Sequence, residues 1–472
     1  MTQVLESALD DFRGTFTGQV IMPSDNGYDT ARAVWNADIN RHPAMIARCR
    51  NAADVSAAVI FARQHKLDIS VRGGAHNTSG TAVDEGGIMI DLSQLRHVAV
   101  DPGGRRARVG GGALLADMDA ATQAHGLATP AGLVSHTGVD GLTLGGGMGW
   151  LTRKFGMAID NLLSAEIVVA DGRILRAAPD ENPDLFWSIR GGGGNFGVVT
   201  SFEFQLHEVG PLIEFGLFFW GIDQGAEVLR IAREVIATLP RDLNAVIAGL
   251  NAPPAPFVPE QHQFRPGYAL LITGFGSPEE HAATTARIRE ALPPLFELVA
   301  PIPYVELQQL LDEANAWGLF SYEKGCYLAR LSDEVIAVLS DQLPRKSSPL
   351  SNLLFYRLDG AYSEVADDET AFSGGRSSRY AIFIIALAAT RELLVADRIW
   401  VRSFWEALRP YAIGIGSYVN SMAEFEEDRV RAAYGTAKYQ RLAKIKAEYD
   451  PENVFHNNAN IKPALALWST TG

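Results

Sequence analysis

Apolar and polar positions alternate along Leu67–Val71, with Leu67, Ile69 and Val71 on one side, and this period of two predicts a strand. Just upstream the period changes. Val55, Ala58, Val59 and Ala62 share one face of a 3.6-residue repeat with Asp54 in its first turn, which predicts a helix over Asn51–Lys66. Short strands are expected at Ile88–Leu92 and Ala107–Val109, with a second helix over Ala113–His125. Glu166–Arg176 reads as a β-hairpin turning at Asp171-Gly172, a dipeptide suited to a type I′ turn. An alternating strand follows at Val198–Phe204.

Beyond about residue 206 the texture changes. Glycine clusters thin out, prolines gather at 253–256, and strand-like runs alternate with amphipathic helices at Leu229–Leu239, His281–Leu292 and Asp333–Leu343. That pattern predicts an antiparallel sheet backed by helices. A chain of 472 residues exceeds what one core serves well, so two domains are expected.

The glycine-rich stretches carry the candidate chemistry. VRGGAHN at 71–77 follows a strand, and with no side chains in the way its backbone N–H groups can converge on an anion. GVDGLTLGGGMG at 138–149 is a second loop of this kind, so the pair suits one elongated ligand with a pyrophosphate in its middle. GGGGNFG at 191–197 is too rich in glycine for a regular element. RGGAHN does not match G-x-G-x-x-G and no patterned helix starts directly after it, which argues against NAD(P).

Composition narrows the classes. Apolar content of 47% and charged content of 20% are ordinary for a soluble globular protein. A net charge of −14 and a pI near 5.2 argue against nucleic acid or an anionic membrane as partner. Cys49 and Cys326 sit in apolar-patterned segments and read as buried thiols. The histidines form no ligand-spaced cluster, so no metal site is expected. MTQVLESALDDFRG carries acids where a signal peptide has a basic end, and the apolar run Ala381–Ala389 is too short for a membrane span. A cytoplasmic protein is expected.

Several blocks together resemble one family. They are RGGAHN at 72–77, TGVDGLTLGGGMGWLTRKFG at 137–156, DNLLSAEIVVADG at 160–172, ENPDLFWSIRGGGGNFGVVTSFEF at 181–204, SYVN at 417–420 and DPENVFHNNANI at 450–461. In this order they resemble the FAD-linked oxidases of the vanillyl-alcohol oxidase type, berberine-bridge-enzyme-like branch; DNGYDTARAVWN is similar to that family's leader. The missing signal points to a bacterial-type member. The resemblance implies an α+β, two-domain flavoprotein. Residues 1–205 and 415–472 would form a discontinuous FAD-binding domain, and 206–414 a substrate domain on an antiparallel sheet backed by helices.

The resemblance also implies roles. His76 aligns with the histidine that attaches to the flavin 8α carbon, a role suited to a neutral imidazole. Its loop, Arg72, Gly73, Gly74, Ala75, Asn77 and Thr78, would hold the cofactor, with Ala75 in place of the family's usual glycine and expected to keep φ negative. Val134 falls where many members carry a second, cysteinyl link, so single attachment through His76 is expected. Thr137 aligns with the position lining the dioxygen pocket, and His136 beside it could reach the substrate side. Gly138, Gly141, Gly145, Gly146, Asn161, Asn195, Gly197, Val199, Asn420 and Asn458 complete the expected cofactor set; Ala459 stands where the family often has glutamine.

Tyr418 matches the tyrosine above the flavin and is the expected proton-handling group. A free phenol has a pKa of about 10, so it would need donors or a positive charge to serve as base. Tyr304, Tyr322, Lys324, Tyr362, Arg379 and Tyr380 are candidates for the substrate wall. The implied activity is oxidation of an alcohol, hemiacetal or activated C–H group of a sugar or secondary metabolite, with O2 as acceptor giving H2O2. A dehydrogenase with another acceptor, and a flavin-binding protein without turnover, are the rival readings.

Overall fold

The computed structural model describes residues 3–414 and 417–465. Its first sheet runs Gln19–Ile21, Met45–Arg48, Ile88–Asp91, Ile69–Arg72 in spatial order, the last three strands mutually parallel. The helix Ala52–His65 makes the crossover between Met45–Arg48 and Ile69–Arg72. Asn51 caps it by accepting the Asp54 N–H at 2.9 Å, and Lys66 ends it at φ 54°. Val55, Ala58, Val59 and Ala62 are buried, which is the face that the spacing predicts.

The second sheet is antiparallel, in the order Val98–Asp101, Arg106–Gly110, Val198–Gln205, Leu162–Val168, Ile174–Ala177. The expected hairpin is present, but its turn is not type I′, which needs positive φ at two successive residues. Between Val168 and Ile174 only Gly172 has positive φ, at 86°, and its N–H donates to the Val169 carbonyl. Asp171 is held otherwise, because its carboxylate accepts the Arg173 N–H at 3.0 Å and the guanidinium at 2.7 Å.

The third sheet has seven antiparallel strands, in the order Phe296–Pro303, Leu212–Gly221, Pro266–Gly274, Leu243–Asn251, Asn352–Leu358, Arg379–Ala388, Phe320–Leu328. The helices Gly225–Ala237, Asp333–Gln342 and Arg391–Leu408 cover one face. Period two sorts the side chains between the faces. Tyr322, Cys326, Phe355, Ile382 and Ile384 pack on the helices. Val246, Ala248, Ala269 and Leu271 turn the other way, against Trp150 and Leu151 of the N-terminal half.

The chain then returns. The helix Glu427–Tyr449 packs Tyr434, Tyr439 and Leu442 into the core under the second sheet. Buried Lys446 pairs with Asp450 at 2.6 Å and donates to the Asn195 carbonyl at 2.6 Å and the Phe455 carbonyl at 2.8 Å, locking the tail onto the GGGGNFG loop. Residues 415–416 and 466–472 of the expected tail segment lie outside the described residues. Among the described residues no helix is long and apolar enough to cross a membrane, and no group of three or more His, Cys, Asp or Glu is placed to hold a metal.

Candidate active site

The two glycine loops cross back to back. A β-carbon on Gly74 would lie 2.2 Å from the Gly138 nitrogen, and one on Gly138 would lie 2.3 Å from the Gly74 nitrogen. Only glycine fits at either position. Ala75 follows at φ 54°, against the expectation of a negative value. Its carbonyl accepts the Trp35 N–H at 3.0 Å and its methyl is buried with Val34 and Met89, contacts that hold the alanine in this strained left-handed conformation.

Between these loops and the bare face of the seven-stranded sheet lies a cavity of 830 Å³. From the first loop Gly73, Gly74, Ala75, His76, Asn77 and Thr78 reach it. Thr137, Gly138 and Gly141 come from the second loop; Asn195, Gly197 and Val199 come from the third loop and its strand. Tyr418, Asn420 and Asn458 join from the tail.

Four expected cofactor residues stand behind the lining instead. Arg72 donates to the Ala31 and Ala33 carbonyls, bracing the strand below the loop. Asn161 donates to the Phe155 and Met157 carbonyls, both at 2.9 Å, and its Oδ1 meets His207 at 2.6 Å. Gly145 makes room for Asn420, whose Oδ1 would lie 2.1 Å from an added β-carbon. Gly146, at φ 142°, lies against Phe372 and Tyr418, 3.0 and 3.2 Å from an added β-carbon. These two glycines shape the site without facing it.

His76 stacks on Trp35 at 4.5 Å and lies 4.9 Å from the ring of His136. Burial, with the neighbouring His136, pulls its pKa down to about 3, so the imidazole is neutral at working pH. Its Nε2 is buried without a hydrogen-bond partner. His136 does not line the cavity; both of its ring nitrogens are buried behind His76 without partners. Its ring lies tilted at 38° against that of His76 and does not reach the cavity, against the expectation that it meets the substrate.

Tyr418 Oη accepts the Gly147 N–H and the Asn420 amide, each at 2.9 Å. These are the donors a phenolate would need. Burial outweighs them and pushes the phenol up to about 12, with Glu323 adding to the rise. Both Oη lone pairs are taken, so the resting phenol offers the cavity a proton.

The six candidate wall residues do not line the cavity. Tyr322 and Tyr380 fall on the helix side of their strands, and Lys324 pairs with Glu424 at 3.5 Å over Trp405. Tyr304 is buried beside Leu307, while Tyr362 and Arg379 donate to the carbonyls of Gly375 and Gly374, with Tyr362 packed against Phe372 beside the cavity rather than in its wall. The wall is instead Leu354, Tyr356, Phe383, Ile385 and Glu323. Glu323 was passed over in the sequence, although alternation along Phe320–Leu328 places it opposite Tyr322.

No lysine or arginine lines this cavity among the described residues. A diphosphate would therefore be met by loop N–H groups rather than by side-chain cations. The unpaired His76 Nε2 and the buried, unpaired Asn458 Oδ1 are polar atoms left for a bound group, so the residues present fit FAD. A long cleft with amide donors along its loops and an apolar, aromatic chamber at the sheet belongs to the class of flavin-dependent oxidoreductases.

Comparison with known proteins narrows the class. The family model "FAD binding domain" matches residues 43–178, and "Berberine and berberine like" matches 417–462. An FAD-linked oxidoreductase of Dictyostelium discoideum is 31% identical over 432 residues, covering 91% of each chain. The (R)-6-hydroxynicotine oxidase of Paenarthrobacter nicotinovorans is 30% identical over 455 residues, 94% of this chain and 97% of that one. The solved 6-hydroxy-D-nicotine oxidase of Arthrobacter nicotinovorans superposes with a TM-score of 0.85 at 28% identity, over 95% of this chain and 99% of that one. The chain belongs to the berberine-bridge-enzyme-like family of FAD-linked oxidoreductases.

Proposed function

We propose that the chain carries FAD covalently through His76 alone. It oxidises an alcohol, hemiacetal or activated C–H group of a sugar or secondary metabolite, with dioxygen as acceptor. Residues 1–205 and 415–472 form the FAD-binding domain, and 206–414 the substrate domain. The observation that carries this reading is His76: a neutral imidazole at the cavity wall, its Nε2 unpaired and its ring clamped by Trp35. Val134 also lines the cavity, and valine cannot form the second, thioether link.

Bound FAD supplies the two-electron oxidation and, with dioxygen, yields hydrogen peroxide. The chain does the rest. Leu354, Tyr356, Phe383 and Ile385 exclude water from the reacting end. Tyr418 Oη, fixed by the Gly147 and Asn420 donors, donates a hydrogen bond to the substrate heteroatom and orients it for oxidation. Thr137 keeps a small side chain at the wall where dioxygen enters. A relative named for 6-hydroxynicotine supports a small secondary metabolite as substrate.

The test is acid precipitation of the purified yellow protein beside His76→Ala. Flavin fluorescence should stay with the wild-type chain and leave the variant. Complete release from the wild type would rule out the histidyl link. Oxygen uptake during turnover separates the oxidase from a dehydrogenase, and flavin that no donor bleaches anaerobically would mark a protein without turnover.

A further inference from the structure

Glu323 is the one carboxylate that the seven-stranded sheet presents to the cavity. Its Oε1 accepts the Thr78 hydroxyl at 2.9 Å, while Oε2 has no hydrogen bond or ion pair among the described residues. The side chain is braced. Asn36 donates to the Thr78 carbonyl at 2.7 Å and the Ser321 carbonyl at 3.1 Å, and accepts the Ser321 N–H at 2.9 Å. The histidine loop and the strand carrying Glu323 are thereby stitched together by one side chain from a third segment.

The surroundings of Oε2 are mainly apolar and carry no positive charge among the described residues. Ile385 is its register partner on the next strand, with Asn352 beyond, the next row of that face holds Phe383 and Leu354, and Tyr356 lies one row further on. Asp140 and Glu313 are the other two carboxylates on the lining, and among the described residues no lysine or arginine opposes the three. The groups facing Glu323 are the Thr78 hydroxyl and the phenols of Tyr418 and Tyr356, all neutral. A carboxylate so placed attracts a cation and repels an anion; a neutral polyol gains one hydrogen bond from it.

We infer that the substrate of this site is an amine with an apolar, aromatic-sized body, bound as its ammonium cation by Glu323 Oε2; the inference rests on the oxidase reading above. Glu323 then also receives the proton that the ammonium must lose: the N–H bond breaks, an O–H bond forms at Oε2, and no electrons change hands. The oxidation that follows belongs to the flavin. A desolvated carboxyl, pushed up to about 7 by burial, is matched to that exchange near neutral pH. Tyr418 lacks this capacity because its oxygen is already doubly accepted.

The experiment is titration calorimetry on the purified flavin-loaded protein at neutral pH with N-methylbenzylamine, its neutral isostere benzyl methyl ether, and D-glucose. The wild type should bind the amine at least about tenfold more tightly than the ether, the scale of one charged hydrogen bond. Glu323→Gln should bring the two to near equality, and Glu323→Asp should keep part of the preference. An ether or glucose bound as tightly as the amine by the wild type would overturn the inference, as would a preference retained in Glu323→Gln. The wild-type ratio decides even if the variant does not fold. Anaerobic bleaching separates the two levels. Bleaching by D-glucose without amine preference sinks the amine assignment alone, and a chain that never carries flavin sinks the oxidase reading.

Discussion

Asp119 and Gln308 meet across the two halves of the molecule: the Gln308 amide donates to Asp119 Oδ2 at 2.9 Å, and Oδ1 is left without a partner. The contact joins the helices Leu115–Gln123 and Tyr304–Gln309 beneath the second glycine loop.

Burial pushes the Asp119 carboxyl up to about 7, with Gln308 pulling back. Asp140 and Glu323 are raised to about 7 by the same desolvation. An unfolded carboxyl titrates near about 4, so between about pH 4 and 7 the native state holds protons that the unfolded chain has released. The stability each contributes is full below about pH 4 and is lost as pH rises through about 7. His76, depressed to about 3, acts in the opposite sense over the range up to its ordinary 6.5. A variant therefore isolates the effect better than the raw curve. Asp119→Asn should raise the unfolding midpoint relative to wild type more at pH 8 than at pH 5. A difference that does not change with pH would contradict this.

Gly138→Ala should cost about 3 kcal/mol or more, because the new methyl must displace the Gly74 backbone. Denaturant titration would read the loss, and the bound-flavin absorbance per chain should fall with it. A variant with wild-type midpoint and flavin content would mean that the loops part easily.

Ala75→Gly should stabilise. The left-handed strain removed is about 1–2 kcal/mol per residue, and the added chain entropy of glycine returns part of it, leaving a gain of about 0.5–1 kcal/mol. A lower midpoint in urea would show that the buried methyl contributes more than its strain costs.

Tyr418→Phe should leave flavin content unchanged and slow anaerobic flavin bleaching about a hundredfold. It strips the shared acceptor from Gly147 and Asn420 and removes the proton offered to the cavity. Unaltered bleaching in a stopped-flow trace would take Tyr418 out of the reaction.

The local parts of this fold were legible in the sequence because short-range rules write them. Asp54 in the first turn and the Val55–Ala62 face predict their helix, and two glycine loops predict an anion cradle. The substrate wall was not legible. Tyr322 and Glu323 are neighbours, and which of them meets the cavity is decided by the helix Arg391–Leu408, which is far off in sequence and covers the other face. Aromatic side chains look like pocket material whichever way they point, so Tyr322 and Tyr380 were favoured over Glu323 and Phe383. Arg72 and Asn161 sit among cofactor residues in sequence, yet their carbonyl partners draw them behind the loops. Ala75 and the Gly172 turn were missed for one reason: backbone φ follows from hydrogen bonds to Trp35 and within Asp171, which composition does not display.

The two-faced sheet also says how such an enzyme can diversify. On Phe320–Leu328, Asn352–Leu358 and Arg379–Ala388, every second side chain belongs to the helix layer and the intervening ones to the cavity or to the cluster of Tyr327, Leu358 and Ala381 beside it. Substitutions at Glu323, Tyr356, Phe383 or Ile385 change what the chamber accepts, while Phe355, Ile382 and Ile384 keep the layer beneath intact. Lineages can exchange one small molecule for another by drifting along one face of these strands, with the scaffold inherited unaltered on the other.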